Sequence, residues 1–232
     1  GDVPGRRYLR ASSQALIVFL SVWRSMFAII DYGMGNVKSV AKALEASGAK
    51  DVRITSDPAV VLNADKIVLP GVGAMAEAML QLQKLGLVEV IRESVFRKPF
   101  LGICLGLQLL FDRSEEGGNV RGLGIFRGNV QRFSGKLKVP HMGWNQLKPK
   151  AADTRQRSDG RSVLKRINVR SYYYFCHSYY VVPEDETIIA ATTEYGLDFV
   201  SAVCRDNLFA CQFHPEKSQK SGLMMLENFT KL

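Results

Sequence analysis

Apolar residues fall into two kinds of pattern along this chain. Residues 27–30, 66–69 and 100–103 are short, nearly unbroken apolar runs, as strands buried on both faces require. Val37, Val40, Ala41 and Leu44 instead follow i, i+3, i+4, i+7 spacing, one face of a helix. Asn36 is placed to cap that helix and Gly48 to close it. A short strand is predicted at 52–55, helices at 75–85 and 87–96, and a helical stretch at 105–111. The first half thus reads β-α-β-β-α-β-α with short connections, which implies a parallel sheet with helices on its faces. The second half changes character. Strand-like runs at 172–175, 179–182, 187–193, 199–204 and 208–213 are joined by hairpin-length links, and a last helix is predicted at 222–231. The expected fold class is α/β, a mostly parallel central sheet flanked by helices, with an antiparallel or mixed edge extension.

In open α/β sheets, ligands bind beyond the carboxyl ends of the strands. Three loops there carry chemistry. Gly102-Ile103-Cys104-Leu105-Gly106 spans a predicted strand-to-helix junction and places a Cys where a nucleophile sits on a tight turn between glycines. Free N–H groups at the helix start would favour its thiolate. Such a nucleophile needs a base, and the base needs an orienting group. Gln212-Phe213-His214-Pro215-Glu216 puts an imidazole and a carboxylate in one turn at a strand end. Pro70-Gly71-Val72-Gly73 could point a backbone N–H at an oxyanion, with the N–H of Leu105 as second donor. The glycines around Val72 would also permit a peptide flip, and Gly73→Pro is expected to block it with the fold intact. Of the four Cys, 176, 204 and 211 lie inside predicted strands and are read as core. His141 and His177 lack a neighbouring carboxylate in sequence and are read as structural or substrate-orienting.

Composition narrows the classes further. The chain has 232 residues, 47% hydrophobic and 23% charged, an ordinary globular balance. No Cys pair has C-x-x-C spacing, which excludes a zinc ribbon or thioredoxin-type motif, and neither a metal nor a cofactor is expected. The formal charge of +9 would by itself suggest nucleic acid. Residues 1–25, however, carry four Arg and one Asp, lack a Met at position 1, and precede a natural strand start at Met26. They are read as a leader or non-native segment outside the fold, with the domain at 26–232. A transit peptide and a weak signal peptide are the competing readings. Much of the remaining charge lies in segment 148–170, where no aromatic is interleaved, so it is read as a solvated loop rather than a stacking surface. No run approaches a membrane span.

PGVG, GICLGLQ and QFHPEKS in that order resemble the triad-type (class I) glutamine amidotransferases, whose fold is flavodoxin-like. The start IIDYGMGNVKSVAKALE, the segment VPHMGWN at 139–145 and the run YFCHSY at 174–179 are similar to the glutaminase subunits of imidazole glycerol phosphate synthase. The resemblance covers nearly all of 26–232. It implies a cytoplasmic enzyme of histidine biosynthesis that hydrolyses L-glutamine through Cys104, His214 and Glu216, with Val72 and Leu105 as oxyanion hole. It also implies that Gly71, Gly73, Gln108, His177, Ser178 and Tyr179 bind substrate. Ammonia would pass to a cyclase partner, a (β/α)₈ barrel forming a heterodimer, for synthesis of imidazole glycerol phosphate and aminoimidazole carboxamide ribotide. Asn36, Pro140, His141 and Trp144 would meet that partner. The alternatives are another triad amidotransferase, a Cys hydrolase on the same fold, a binding module without activity, and a nucleic-acid binder with no motif behind it.

Overall fold

The computed structural model describes residues 25–135, 137–150, 159–168 and 170–232. The leader reading of 1–25 lies outside the described residues except for Ser25, as does the part of the basic segment at 151–158 and 169. The first half runs β1 (Met26–Ile30), α1 (Val37–Ala46), β2 (Asp51–Thr55), α2 (Pro58–Asn63), β3 (Lys66–Gly71), α3 (Met75–Lys84), α4 (Leu87–Ser94), β4 (Phe100–Cys104) and α5 (Leu105–Gln108). The second half runs β5 (Phe111–Ser114), β6 (Val120–Arg121), β7 (Phe126–Arg132), β8 (His141–Gln146), β9 (Lys148–Pro149), β10 (Tyr172–His177), β11 (Tyr179–Pro183), β12 (Ile189–Glu194), β13 (Asp198–Arg205), β14 (Leu208–Cys211) and α6 (Gln219–Thr230). Short 3₁₀ helices cover Asp159–Leu164, Glu186–Ile188 and Pro215–Lys217.

Among the described residues the main sheet is ordered β2-β1-β3-β4-β14-β13-β11-β7-β5-β6, with β12 joined to β13 and β9. Strands β2, β1, β3, β4 and β14 are mutually parallel, and from β13 outward the pairing turns mostly antiparallel. The apolar runs are buried on both faces, as their lack of alternation demands. Ala28 and Ile30 of β1 enter one core and Phe27 and Ile29 the other. Strands β8 and β10 form a separate antiparallel ribbon in which Trp144 pairs with Tyr174 and His141 with His177.

Several elements differ from the periodicity. The helical stretch expected over 105–111 stops at Gln108, and Phe111 opens β5. The carbonyl of Leu109 accepts from the N–H of Leu123, and that of Leu110 from the N–H groups of Ile125 and Phe126, so a distant loop takes the groups a longer helix would use. The strand expected from 187 begins at Ile189, because Asp185 caps a 3₁₀ turn through the N–H of Thr187. The strand expected to reach 213 ends at Cys211, and the last helix starts at Gln219. Helix α2 was not predicted, although Asp57 caps it and Pro58 occupies its first turn, a legible start signal. No helix among the described residues is long and apolar enough to cross a membrane.

Candidate active site

The Gly102–Gly106 turn is built by steric exclusion. A Cβ on Gly102 would come within 2.9 Å of the Ala210 Cβ, and one on Gly106 would enter the Leu69 carbonyl. Strands β14 and β3 flank β4 closely here, so both positions must be glycine. Between them Cys104 adopts φ +55° and ψ −108°, a conformation unusual for a side-chain-bearing residue. The strain holds the thiol at the end of β4, where α5 begins.

His214 follows β14, the strand beside β4, and its backbone N–H is bound by the Tyr174 carbonyl at 2.9 Å. Its Nδ1 meets the Glu216 Oε1 at 2.8 Å, and both side chains are buried. Burial alone would disfavour the imidazolium. Hydrogen bonds to Cys104 and Glu216, and the negative charge of both, outweigh it and push the His214 pKa up to about 10. The arrangement is a protonated imidazole between a carboxylate and a thiol sulfur, the parts that acyl transfer by a Cys nucleophile requires.

Pro70–Gly71 closes the other side. The buried Tyr32 hydroxyl donates to the Pro70 carbonyl at 3.0 Å, in the space a Cβ on Gly71 would need. Burial and the nearby Cys104 raise the Tyr32 pKa, so it stays a neutral donor. Gly73 has φ +91°, outside the range open to proline, so Gly73→Pro would remake this loop rather than leave the fold intact as expected. Val72 is exposed at the mouth.

A cleft of about 470 Å³ joins these parts, lined among others by Val72, Gly73, Cys104, Leu105, Gln108, Pro140, His177, Ser178, Tyr179 and His214. Most of the residues expected at the site therefore converge. Gly71 lies just behind, and Asn36 and Trp144 are exposed outside the cleft. A more open cavity of about 550 Å³ near β5–β7 is lined by Arg92, Arg113, Arg121 and Arg127 and contains no Cys or His, so it cannot supply this chemistry.

His141 and Cys176 require correction. His141 is buried, so its side chain is not part of an exposed docking face. It stacks on Phe175 and Tyr195 and bonds His177, Nδ1 to Nε2, at 3.0 Å. His177 Nδ1 faces the Tyr179 carbonyl at 2.7 Å, so that nitrogen carries the hydrogen. His177 Nε2 then accepts from His141, and His141 Nε2 accepts from the Asn145 amide at 3.3 Å. Burial holds both rings neutral, lowering His141 to about 4 and His177 to about 3. Cys176, expected in the core, is only half-buried and lines the cleft, because β10 turns its 172, 174 and 176 side chains away from the buried face of Tyr173, Phe175 and His177. Cys204 and Cys211 are core residues, as expected.

Glu116 and Lys217 also line the cleft, and neither was singled out from the sequence. Glu116 accepts from the Met75 N–H at 2.8 Å, which fixes its carboxylate at the start of α3. No motif marks it; it comes from a glycine-rich turn brought in by the chain's return. Gln212 was legible only as part of the run containing His214. Among the described residues no cluster of three or more His, Cys, Asp or Glu could hold a metal ion.

Residues 28–232 match the class-I glutamine amidotransferase family. The HisH subunit of imidazole glycerol phosphate synthase from Acinetobacter baylyi is 51% identical over 206 residues, covering 88% of this chain and 97% of the relative. That from Syntrophotalea carbinolica is 54% identical over 212 residues, covering 88% and 98%. Among solved structures, PurLQS from Thermotoga maritima superposes with a TM-score of 0.63 at 16% identity, covering 90% of this chain and 98% of that one. A second structure, of a glutamine amidotransferase, gives 0.64 at 16%, covering 88% and 98%. These distant structures share the fold; the sequence matches go further, and the chain belongs to the class-I glutamine amidotransferases, within them to the HisH subunits of imidazole glycerol phosphate synthase.

Proposed function

We propose that this chain hydrolyses L-glutamine through Cys104, His214 and Glu216 and delivers the ammonia to a cyclase subunit in histidine biosynthesis. The observation that carries the reading is the strained Cys104 beside a His214 locked to Glu216 at 2.8 Å. The Cys104 sulfur attacks the side-chain carbonyl carbon of glutamine, and the N–H groups of Val72 and Leu105 hold the oxyanion. His214, already protonated, gives its proton to the departing ammonia. The imidazole left behind takes a proton from water, which attacks the thioester and releases glutamate. Glu216 keeps the ring oriented through its 2.8 Å contact with Nδ1. Glutamine carries an ammonium and a carboxylate at its far end. The cleft offers Glu116 for the first, and the backbone and hydroxyl of Ser178 with Lys217 for the second.

The partner face is argued from the β8–β10 ribbon. Met142, Trp144 and Tyr172 are exposed on it, a large apolar area beside the active site. The Tyr174 ring lies 5.9 Å from Trp144 and 6.4 Å from His214, which links this face to the triad. Pro140, just before β8, is exposed, and Asn36 is exposed at the start of α1, next to Gly35, which lies near Pro70 and Gly71. A (β/α)₈ cyclase seated here would form the heterodimer and cover the cleft. Glutamine turnover measured with and without the cyclase and its ribonucleotide ligand tests the reading. Turnover should be stimulated by the liganded partner and lost in Cys104→Ala. Turnover that survives Cys104→Ala, or ignores the partner, refutes it.

A further inference from the structure

Gln212 sits between the nucleophile strand and the base, in a fully buried position. Its Nε2 lies 3.6 Å from the Cys104 sulfur, within reach for an N–H bonded to sulfur. Its other end is pinned, since Gln108 Nε2 lies 3.0 Å from the Gln212 Oε1. The same Gln108 nitrogen lies 3.0 Å from the Tyr179 carbonyl. That carbonyl can only accept, so the Gln108 amide has its nitrogen, not its oxygen, on this side. Gln108 then donates to the Gln212 oxygen, and the Gln212 amide cannot turn. Its N–H must face the sulfur. Both hydrogens of the Gln108 amide are spent in this chain, which leaves only its carbonyl oxygen for a substrate in the cleft.

We propose that Gln212 is a further catalytic residue, a neutral N–H donor that holds the Cys104 thiolate in the attacking position and is itself aimed by Gln108 and the Tyr179 carbonyl. The idea rests on Cys104 being the nucleophile. A neutral donor suits the task. It stabilises charge on sulfur without competing for the proton that His214 must deliver, and a buried amide has no water to lose when substrate enters. It also gives the buried glutamine a reason to exist in a strand end otherwise made of apolar side chains: β14 is wholly buried and Phe213 is core.

The test is iodoacetamide alkylation of Cys104 in the full-length chain, followed by mass spectrometry of the Cys104 peptide across pH. Gln212→Met removes the donor but keeps the volume. Its alkylation midpoint should rise by about one pH unit, so the rate near neutral pH falls about tenfold. Gln212→Glu places a carboxylate against the sulfur and should raise the midpoint further still. Gln108→Leu frees the Gln212 amide to rotate, and a smaller rise in the same direction is expected. Folding is followed by thermal melting, which a merely structural role would disturb without ordering the midpoints wild type, Met, Glu. Midpoints within about 0.3 unit of wild type in folded variants, roughly a twofold change in proton affinity, would overturn the proposal; if neither 212 variant folds, an unshifted Gln108→Leu does so. Ordered shifts across the variants, together with a wild-type chain that has no partner-dependent glutaminase, support the role of Gln212 beside Cys104 and refute the function proposed above.

Discussion

His214 and the His141–His177 pair lie in the same buried neighbourhood, and their protons behave in opposite ways. All three rings are nearly inaccessible to water. Burial disfavours the charged form of each. His214 has a carboxylate at one nitrogen and the Cys104 sulfur as its other partner, and its pKa rises to about 10. His141 and His177 have each other, an amide and a backbone carbonyl, and fall to about 4 and about 3. Burial is therefore common to both regions, and the identity of two or three neighbouring atoms decides the protonation state. The first region holds a proton between two groups that can share it. The second is built to hold β8 to β10 without one.

Removing the carboxylate should collapse the difference, with the largest effect. Glu216→Gln takes away the orienting charge, and kcat for glutamine hydrolysis should fall by about 10³–10⁴-fold. The NMR titration of His214 should move down toward the other two. Unchanged kcat would show that Glu216 does not set the contrast.

Next in size is acid sensitivity. A histidine whose folded pKa lies below its unfolded value contributes stability that is complete above about pH 6.5 and lost as pH falls toward the folded value. For His141 and His177 that window runs from about 6.5 down to about 4 and about 3. Each should cost about 1.4 kcal/mol per pH unit within it. His214 has the reverse sign, its contribution being present below about 6.5 and lost as pH rises through about 10. Denaturant melts of wild type and His141→Gln between pH 7 and 5 check this: the variant should show about half the slope contributed by the pair.

Trp144→Ala probes the outer surface of the same ribbon. It should weaken cyclase binding by about 2 kcal/mol, roughly 30-fold, as a hot-spot aromatic does. The chain's own melting should change little, because the ring is exposed. Calorimetric titration separates the two effects.

The smallest change should make the neutral pair resemble the triad. Asn145→Asp puts an acceptor at His141 Nε2, 3.3 Å away, where an amide now donates. His141 should then bind a proton more readily, its titration rising by at least one unit, at a cost of about 1 kcal/mol from the lost bond to the Glu194 carbonyl. A His141 titration that stays in place would show that burial, not the partner atom, controls it.

The legible parts of this molecule are local in cause. Unbroken apolar runs mark β1, β3 and β4, since a strand covered on both faces has no polar side. Gly102 and Gly106 mark the turn, because a Cβ at either would strike a neighbouring strand. His214 and Glu216 lie two residues apart, so their 2.8 Å contact is nearly written into the chain. Less legible are β5 to β9, where polar residues interrupt the apolar pattern, and where loop partners rather than propensity end α5. The docking role expected of His141 failed for a related reason. Alternation along β8 puts Met142 and Trp144 outward and His141 inward, and which side faces solvent depends on what packs beneath.

By itself, the sequence determined the α/β class and the family, and it marked Cys104, His214 and Glu216 as the candidate triad, because each rests on residues close together or on a spacing with steric meaning. Tertiary structure alone decided the rest. It set Glu116 in the cleft, paired His141 with His177, and ran a hydrogen-bond chain from the Tyr179 carbonyl through Gln108 and Gln212 to Cys104. Those contacts join residues up to 108 positions apart. An isolated side chain carries no record of which distant polar atom will meet it when water is excluded, and in a buried site that partner decides where the proton sits.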